Sequence, residues 1–189
     1  TLLLQAREDL QQPEELGTAY RRYLDRFPDD SRVRRRFADH LSGRRLWDEA
    51  ARELLLLLPR RRENRPLREA LANCYLMGGH FRDAAVLYRE LLREQPGSLA
   101  LLRALVRSLD RMRSHRVAIS LLEKADPYFK GHPEVLLPLG VQYIKVKDYE
   151  RAQATLRRLP ASAPRDWRVH HNLARAYEKA GQPVFAERF

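Results

Sequence analysis

"LANCYLMGGHFRDAAVLYRELLREQP", Leu71 to Pro96, places a glycine pair between two apolar stretches and a proline at its end. Apolar and small residues recur around it at helical spacing in two stripes, one from about Leu67 to Met77 and one from about Asp83 to Leu92. Gly78 and Gly79 separate the stripes, and Pro96 stops the second. The stretch therefore reads as a helical hairpin. Ala72 and Ala84 stand where two helices must come close, since a larger side chain there would push the axes apart. Tyr75 and Tyr88 can fill the space between hairpins while keeping their hydroxyls near water.

Shifting the chain against itself by 34 residues repeats this pattern without insertion or deletion. One column holds Phe37, Leu71, Leu105, Leu139 and Leu173, and a second holds Ala38, Ala72, Val106, Gly140 and Ala174. A third holds Leu41, Tyr75, Leu109, Tyr143 and Tyr177; a fourth holds Ala50, Ala84, Ala118, Ala152 and Ala186. With alanine near one residue in ten, the fourth column alone has a chance of about one in 10,000. Pro28 and Pro164 fall in the same 34-residue column as Pro96 and end helices likewise, and Pro13 and Pro183 share a first-turn position where a missing N–H costs nothing. Pro138 fits less well: it should kink a first helix or delay its start.

Leu71-Ala72, Tyr75, Gly79, Phe81, Ala84, Tyr88 and Pro96 together resemble the tetratricopeptide repeat. The resemblance spans the chain, with a partial unit at 1–30, units at 31–64, 65–98, 99–132 and 133–166, and a partial unit at 167–189. It implies an all-α fold, a right-handed α-solenoid of helix-turn-helix repeats whose first helices line a concave surface. The 99–132 copy departs most, with Arg113 for the turn glycine, His115 for the aromatic and Lys130 for the proline, which leaves its hairpin geometry open. Both ends cut through a unit, so a segment of a longer array is expected, opening at "TLLLQ" without a polar capping helix.

Carrying the family's groove columns across gives partner-binding candidates Arg32 and Arg35, then Asn73 and Met77, then Arg103, Arg107 and Arg111, then Leu137, Val141, Ile144 and Lys145, and finally Arg175. Asp39, Glu69, Leu76, Asp110, Glu134, Arg168, His171, Glu178 and Lys179 fall in the same columns. This surface is basic with an apolar patch, and it suits a protein partner offering an acidic, partly apolar segment. The competing reading is a solvated face without a partner. Chaperone-binding members of the family grip a C-terminal carboxylate with Lys/Asn, Asn and Lys/Arg over three units. Arg35 with Asp39, Ala70, and Arg103 or Glu134 with Ala104 or Pro138 stand at the corresponding places, so that clamp is broken.

The bulk numbers agree with a binding protein. Thirty-six basic residues face 25 acidic ones, a net charge of +11, and only Lys124, Lys130, Lys145, Lys147 and Lys179 are lysines. That balance favours an acidic partner or an Arg-preferring proteome. Nucleic acid is disfavoured as the partner, because none of the two Trp, eight Tyr and six Phe falls in a groove column to stack on a base. The longest apolar run, Leu54 to Leu58, is far too short to span a membrane, although it surrounds more than one helical face and invites a partner-patch reading beside core filling.

No nucleophile elbow, phosphate-cradling loop or zinc-protease pair is present, so no enzyme activity and no cofactor are expected. No metal site is expected either: His170 and His171 are adjacent and diverge by about 100° around a helix. Cys74 reads as buried and inert, and "DRFPDDS" at 25–31 as a helix end followed by a cap from Asp30 or Ser31. The Arg- and Leu-rich, loosely repeated units look like bacterial arrays, including those of exopolysaccharide export proteins of the Pel and cellulose type. That likeness implies a periplasmic scaffold recruiting synthase or modifying partners. RNA binding and a conduit for an anionic polymer are the alternatives.

Overall fold

A computed structural model describes residues 13–58, 64–160, 171, 174, 175 and 177–179. "TLLLQ", Pro164, Arg168, His170, Leu173, Pro183 and Ala186 lie outside these. The helices in order are α1 (Pro13–Arg26), α2 (Ser31–Gly43), α3 (Trp47–Leu57), α4 (Arg65–Gly78), α5 (Phe81–Glu94), α6 (Leu99–Arg111), α7 (His115–Phe129), α8 (Pro133–Lys145) and α9 (Tyr149–Arg157). Two compact units divide the chain, Thr1–Leu91 and Leu92–Phe189, with the boundary inside α5. In the first, α2 packs on α1 and α3, and α3 on α4; in the second, α7 packs on α6 and α8, α8 on α9, and α6 also touches α8. This is the all-α, hairpin-after-hairpin fold of a tetratricopeptide solenoid.

Helix starts follow from capping chemistry. Asp30 accepts hydrogen bonds from the backbone N–H groups of Arg32 (3.1 Å) and Val33 (3.0 Å), so of the two candidate caps before α2 the aspartate serves. Asn64 caps Leu67, Ser98 caps Leu101, and Asp148 caps Arg151. Pro13 opens α1, and Pro28 and Pro96 sit in the turns after α1 and α5. Pro138 lies inside α8, whose start at Pro133 is not delayed.

The turns inside the hairpins are built alike. Leu46, His80, Ser114 and Asp148 each donate a backbone hydrogen bond to the carbonyl five residues earlier, at Leu41, Tyr75, Leu109 and Tyr143, over 2.8 to 2.9 Å. That bond needs a left-handed residue just before the donor. Gly79 supplies it at φ 90°, but Arg45 (61°), Arg113 (56°) and Lys147 (64°) adopt it too. The third copy thus keeps the common turn despite its missing glycine. A left-handed side-chain-bearing residue costs about 1–2 kcal/mol, of which glycine's larger entropy loss returns roughly half. Arg45→Gly, Arg113→Gly and Lys147→Gly should each stabilise the fold by about 0.5–1 kcal/mol, read as a higher urea midpoint at unchanged slope.

Packing explains the small columns. Ala50, Ala84, Ala118 and Ala152 are each fully buried, and in the column four residues on Tyr20, Leu54, Tyr88, Leu122 and Leu156 are buried as well. In the first unit Tyr20 stacks on Phe37 with ring centroids 5.4 Å apart. In the second, Leu102, Leu122, Val135, Leu139, Tyr143, Leu156 and Tyr177 share one core cluster. These columns of the second helices are thus committed to packing, although Leu55, Leu56, Val86, Val117 and Tyr128 on the same helices are exposed.

Candidate interaction surface

In the first unit, α2 turns Arg32 outward, while Arg35 bonds Asp39 one helical turn on through its Nε (3.1 and 3.2 Å). On α4, Asn73 and Met77 are exposed, the methionine by 43%, and Glu69 is held by Arg65 at 2.6 Å. Of the candidate positions, the first unit therefore presents Arg32, an amide and an apolar thioether outward, while Arg35 pairs with Asp39 and Glu69 with Arg65.

The second unit is more strongly cationic. Arg103, Arg107 and Arg111 are exposed on α6. On α8, Leu137 and Val141 are half-buried and Lys145 is exposed. Arg103 faces Glu134 across to α8 at 3.5 Å, whereas Arg107 makes no ion pair among the described residues. Beyond α9, the helical residues His171, Ala174, Arg175, Glu178 and Lys179 line a cavity of about 410 Å³. His171, Arg175, Glu178 and Lys179 occupy repeat positions expected to face a ligand, whereas Ala174 belongs to the small packing column, and Arg175 and Lys179 have no ion pair among the described residues.

Ile144 is a correction. It is only 6% exposed and belongs to the core with Leu156 and Tyr177, so the apolar patch on α8 reduces to Leu137 and Val141. Leu76, in the same column, is likewise buried. For Ile144 the physical reason is that it lies against the following helical residues of its own unit, with Tyr177 in the same core cluster. Between α2 and α4 in the first unit, Ser42 Oγ lies 3.5 Å from Cys74 Sγ.

In the second unit the seam between α6 and α8 carries a polar network that sequence reasoning missed. Asp110 accepts hydrogen bonds from Gln142 Nε2 (3.0 Å) and from Lys145 Nζ, and His115 Nδ1 lies 2.9 Å from Gln142 Oε1 and 3.5 Å from Asp110 Oδ1. The available signal was a coincidence of departures: Gln142 where other units place Cys74 or Ser108, and His115 where they place an aromatic. Burial pushes the Asp110 carboxyl up, but the hydrogen bonds from Lys145 and Gln142 and the charges of Lys145 and His115 outweigh it and hold the group below the usual range. A depressed carboxylate stabilises the fold fully above its unfolded value near pH 4 and loses that contribution as pH falls through the lower folded value. Stability from urea melts should therefore decline below about pH 4, and Asp110→Asn should make that decline shallower.

Other reactive groups are occupied. Cys74 is 3% exposed, and burial pushes its thiol up. Ser42 and Ser108 donate to the carbonyls of Ala38 and Ala104 at 2.9 Å. Among the described residues no group of three or more His, Cys, Asp or Glu could hold a metal ion, and no helix is long and apolar enough to cross a membrane.

Comparison with known proteins points one way. Residues 70–98 and 112–174 each match a tetratricopeptide repeat model. No curated protein matches the chain significantly. Among solved structures, a tetratricopeptide repeat protein from Parabacteroides merdae superposes with a TM-score of 0.73 at 16% identity, covering 98% of this chain and 73% of its own. MamA from Desulfovibrio magneticus gives 0.72 at 14%, covering 85% and 90%, and YrrB, described as a TPR protein with an unusual peptide-binding site, gives 0.65 at 15%, covering 90% and 88%. At such identities the likeness is one of fold.

Proposed function

We propose that this tetratricopeptide repeat protein is a non-catalytic interaction scaffold that recruits a partner protein through the outward faces of its first helices. The observation that carries this reading is the division of labour within the hairpins: the recurring columns of small and large apolar residues are buried, while Arg32, Asn73, Arg103, Arg107 and Arg111 stand exposed at the repeat positions between them. YrrB, which shares the fold, has a peptide-binding site, so a peptide ligand is compatible with this architecture. A basic surface with a small apolar patch favours an acidic, partly apolar segment of the partner.

The test is affinity capture with the wild type beside Arg103→Glu/Arg107→Glu, repeated after nuclease treatment, with circular dichroism confirming that the variant is folded. A nuclease-resistant protein lost on charge reversal is the expected result. Identical recovery by both proteins would remove this face as the binding site, and nuclease-sensitive recovery would replace the protein partner with RNA. The style of the units suggests bacterial exopolysaccharide export as the setting, which a captured polysaccharide synthase or modifying enzyme would support.

A further inference from the structure

The outward charges of the second unit are ordered around its apolar pair. At one repeat position Arg107, Val141 and Arg175 follow each other on α6, α8 and the helical residues beyond α9. Leu137 lies one turn before Val141, and both are half-buried. Not every cation near them is available. Lys145 gives its ammonium to Asp110, and Arg103 faces Glu134. Arg107 and Arg175 are exposed and make no ion pair among the described residues, and Arg175 lines the cavity of about 410 Å³ with Lys179. The order across the three repeats is thus cation, aliphatic, cation.

We infer that this face of the second unit takes an extended acidic segment of a partner protein, with one apolar side chain on Leu137 and Val141 and carboxylates to either side on Arg107 and Arg175. The inference rests on the scaffold reading and adds the occupant's chemistry and order. Neighbouring packed helices lie about 8–10 Å apart, and an extended chain advances about 3.3 Å per residue. The carboxylates therefore stand roughly three residues before and after the apolar residue. Arginine can meet each carboxylate with two parallel hydrogen bonds. A nucleic acid would satisfy the same cations, but the aliphatic pair between them offers no ring on which a base could stack.

Fluorescence anisotropy on the whole chain tests this with a labelled acidic peptide carrying one central leucine. Companion probes are the same peptide with serine for leucine, the same with glutamine for each glutamate, and a single-stranded RNA of equal charge. The leucine peptide should bind, and Arg107→Glu and Arg175→Glu should each weaken it about tenfold or more, whereas Arg32→Glu in the first unit leaves it unchanged. Replacing leucine with serine, or glutamate with glutamine, should likewise weaken binding. Equal binding of the serine peptide, no effect of either reversal, an equal loss from Arg32→Glu, or tighter binding of the RNA would each overturn the inference. If the peptide fails while a protein is still captured and lost with Arg103→Glu/Arg107→Glu, the scaffold reading stands and only the occupant is wrong; if nothing is captured, the scaffold reading itself fails.

Discussion

Gly140→Leu is expected to cost roughly 3 kcal/mol or more, the upper end of what overpacking a core does. A Cβ at Gly140 would lie 2.6 Å from both Cγ and Cδ2 of Leu156 and 3.2 Å from Cδ1, well inside any real carbon–carbon contact. Leu156 is 2% exposed and shares its core with Leu139 and Tyr143, so it has little room to retreat. Even alanine should destabilise, although it is the better helix former by about 1 kcal/mol, because the clash must first exceed that gain. The measured loss therefore understates the clash. A double-mutant cycle with Leu156→Ala gives the decisive reading: the truncation should restore much of what Gly140→Ala loses, giving a coupling of about 1 kcal/mol or more. Additive effects would mean that α8 and α9 shift apart freely and that the small column is not needed for close approach.

How much of this was legible follows from what each feature depends on. The hairpins, the buried alanine column and the cap before α2 depend on residues close in sequence or on strict recurrence, and both can be read from one chain. Arg113 shows where composition misleads: the turn it occupies lacks its glycine, yet the hydrogen bond from Ser114 to Leu109 and the packing of α6 on α7 impose the left-handed backbone. Ile144 shows a different limit. Its column was readable, but whether that column faces a ligand or the next hairpin depends on the angle at which hairpins stack, which periodicity does not encode. The Asp110, His115, Gln142 and Lys145 network was missed for the same reason: the departures at Gln142 and His115 were readable, but its members meet only across that seam.

The run Leu54 to Leu58 carries the other large expected effect, because five identical side chains in a row cannot all have one environment on a helix. Leu54 is 1% exposed and Leu57 6%, whereas Leu55 is 43% and Leu56 59% exposed. Since α3 packs on both α2 and α4, Leu54 fills the core between them together with Phe37 and Leu71. Leu54→Ala should therefore lose about 2–5 kcal/mol, the transfer free energy of the deleted atoms plus the cavity left behind. Leu56→Ala, the same chemical change two positions on, should stay within about 0.5 kcal/mol. Chemical denaturation of the two variants measures the contrast, and hydrogen exchange locates it: amides of α2, α3 and α4 should lose protection in Leu54→Ala, while those of α8 and α9 keep theirs if each hairpin leans mainly on its neighbours. Equal losses from both substitutions would mean that α3 is rotated about its axis relative to the face assigned to it. Uniform loss of protection along the chain would mean instead that the array unfolds as one cooperative block, so that a lesion in any hairpin reaches all the others.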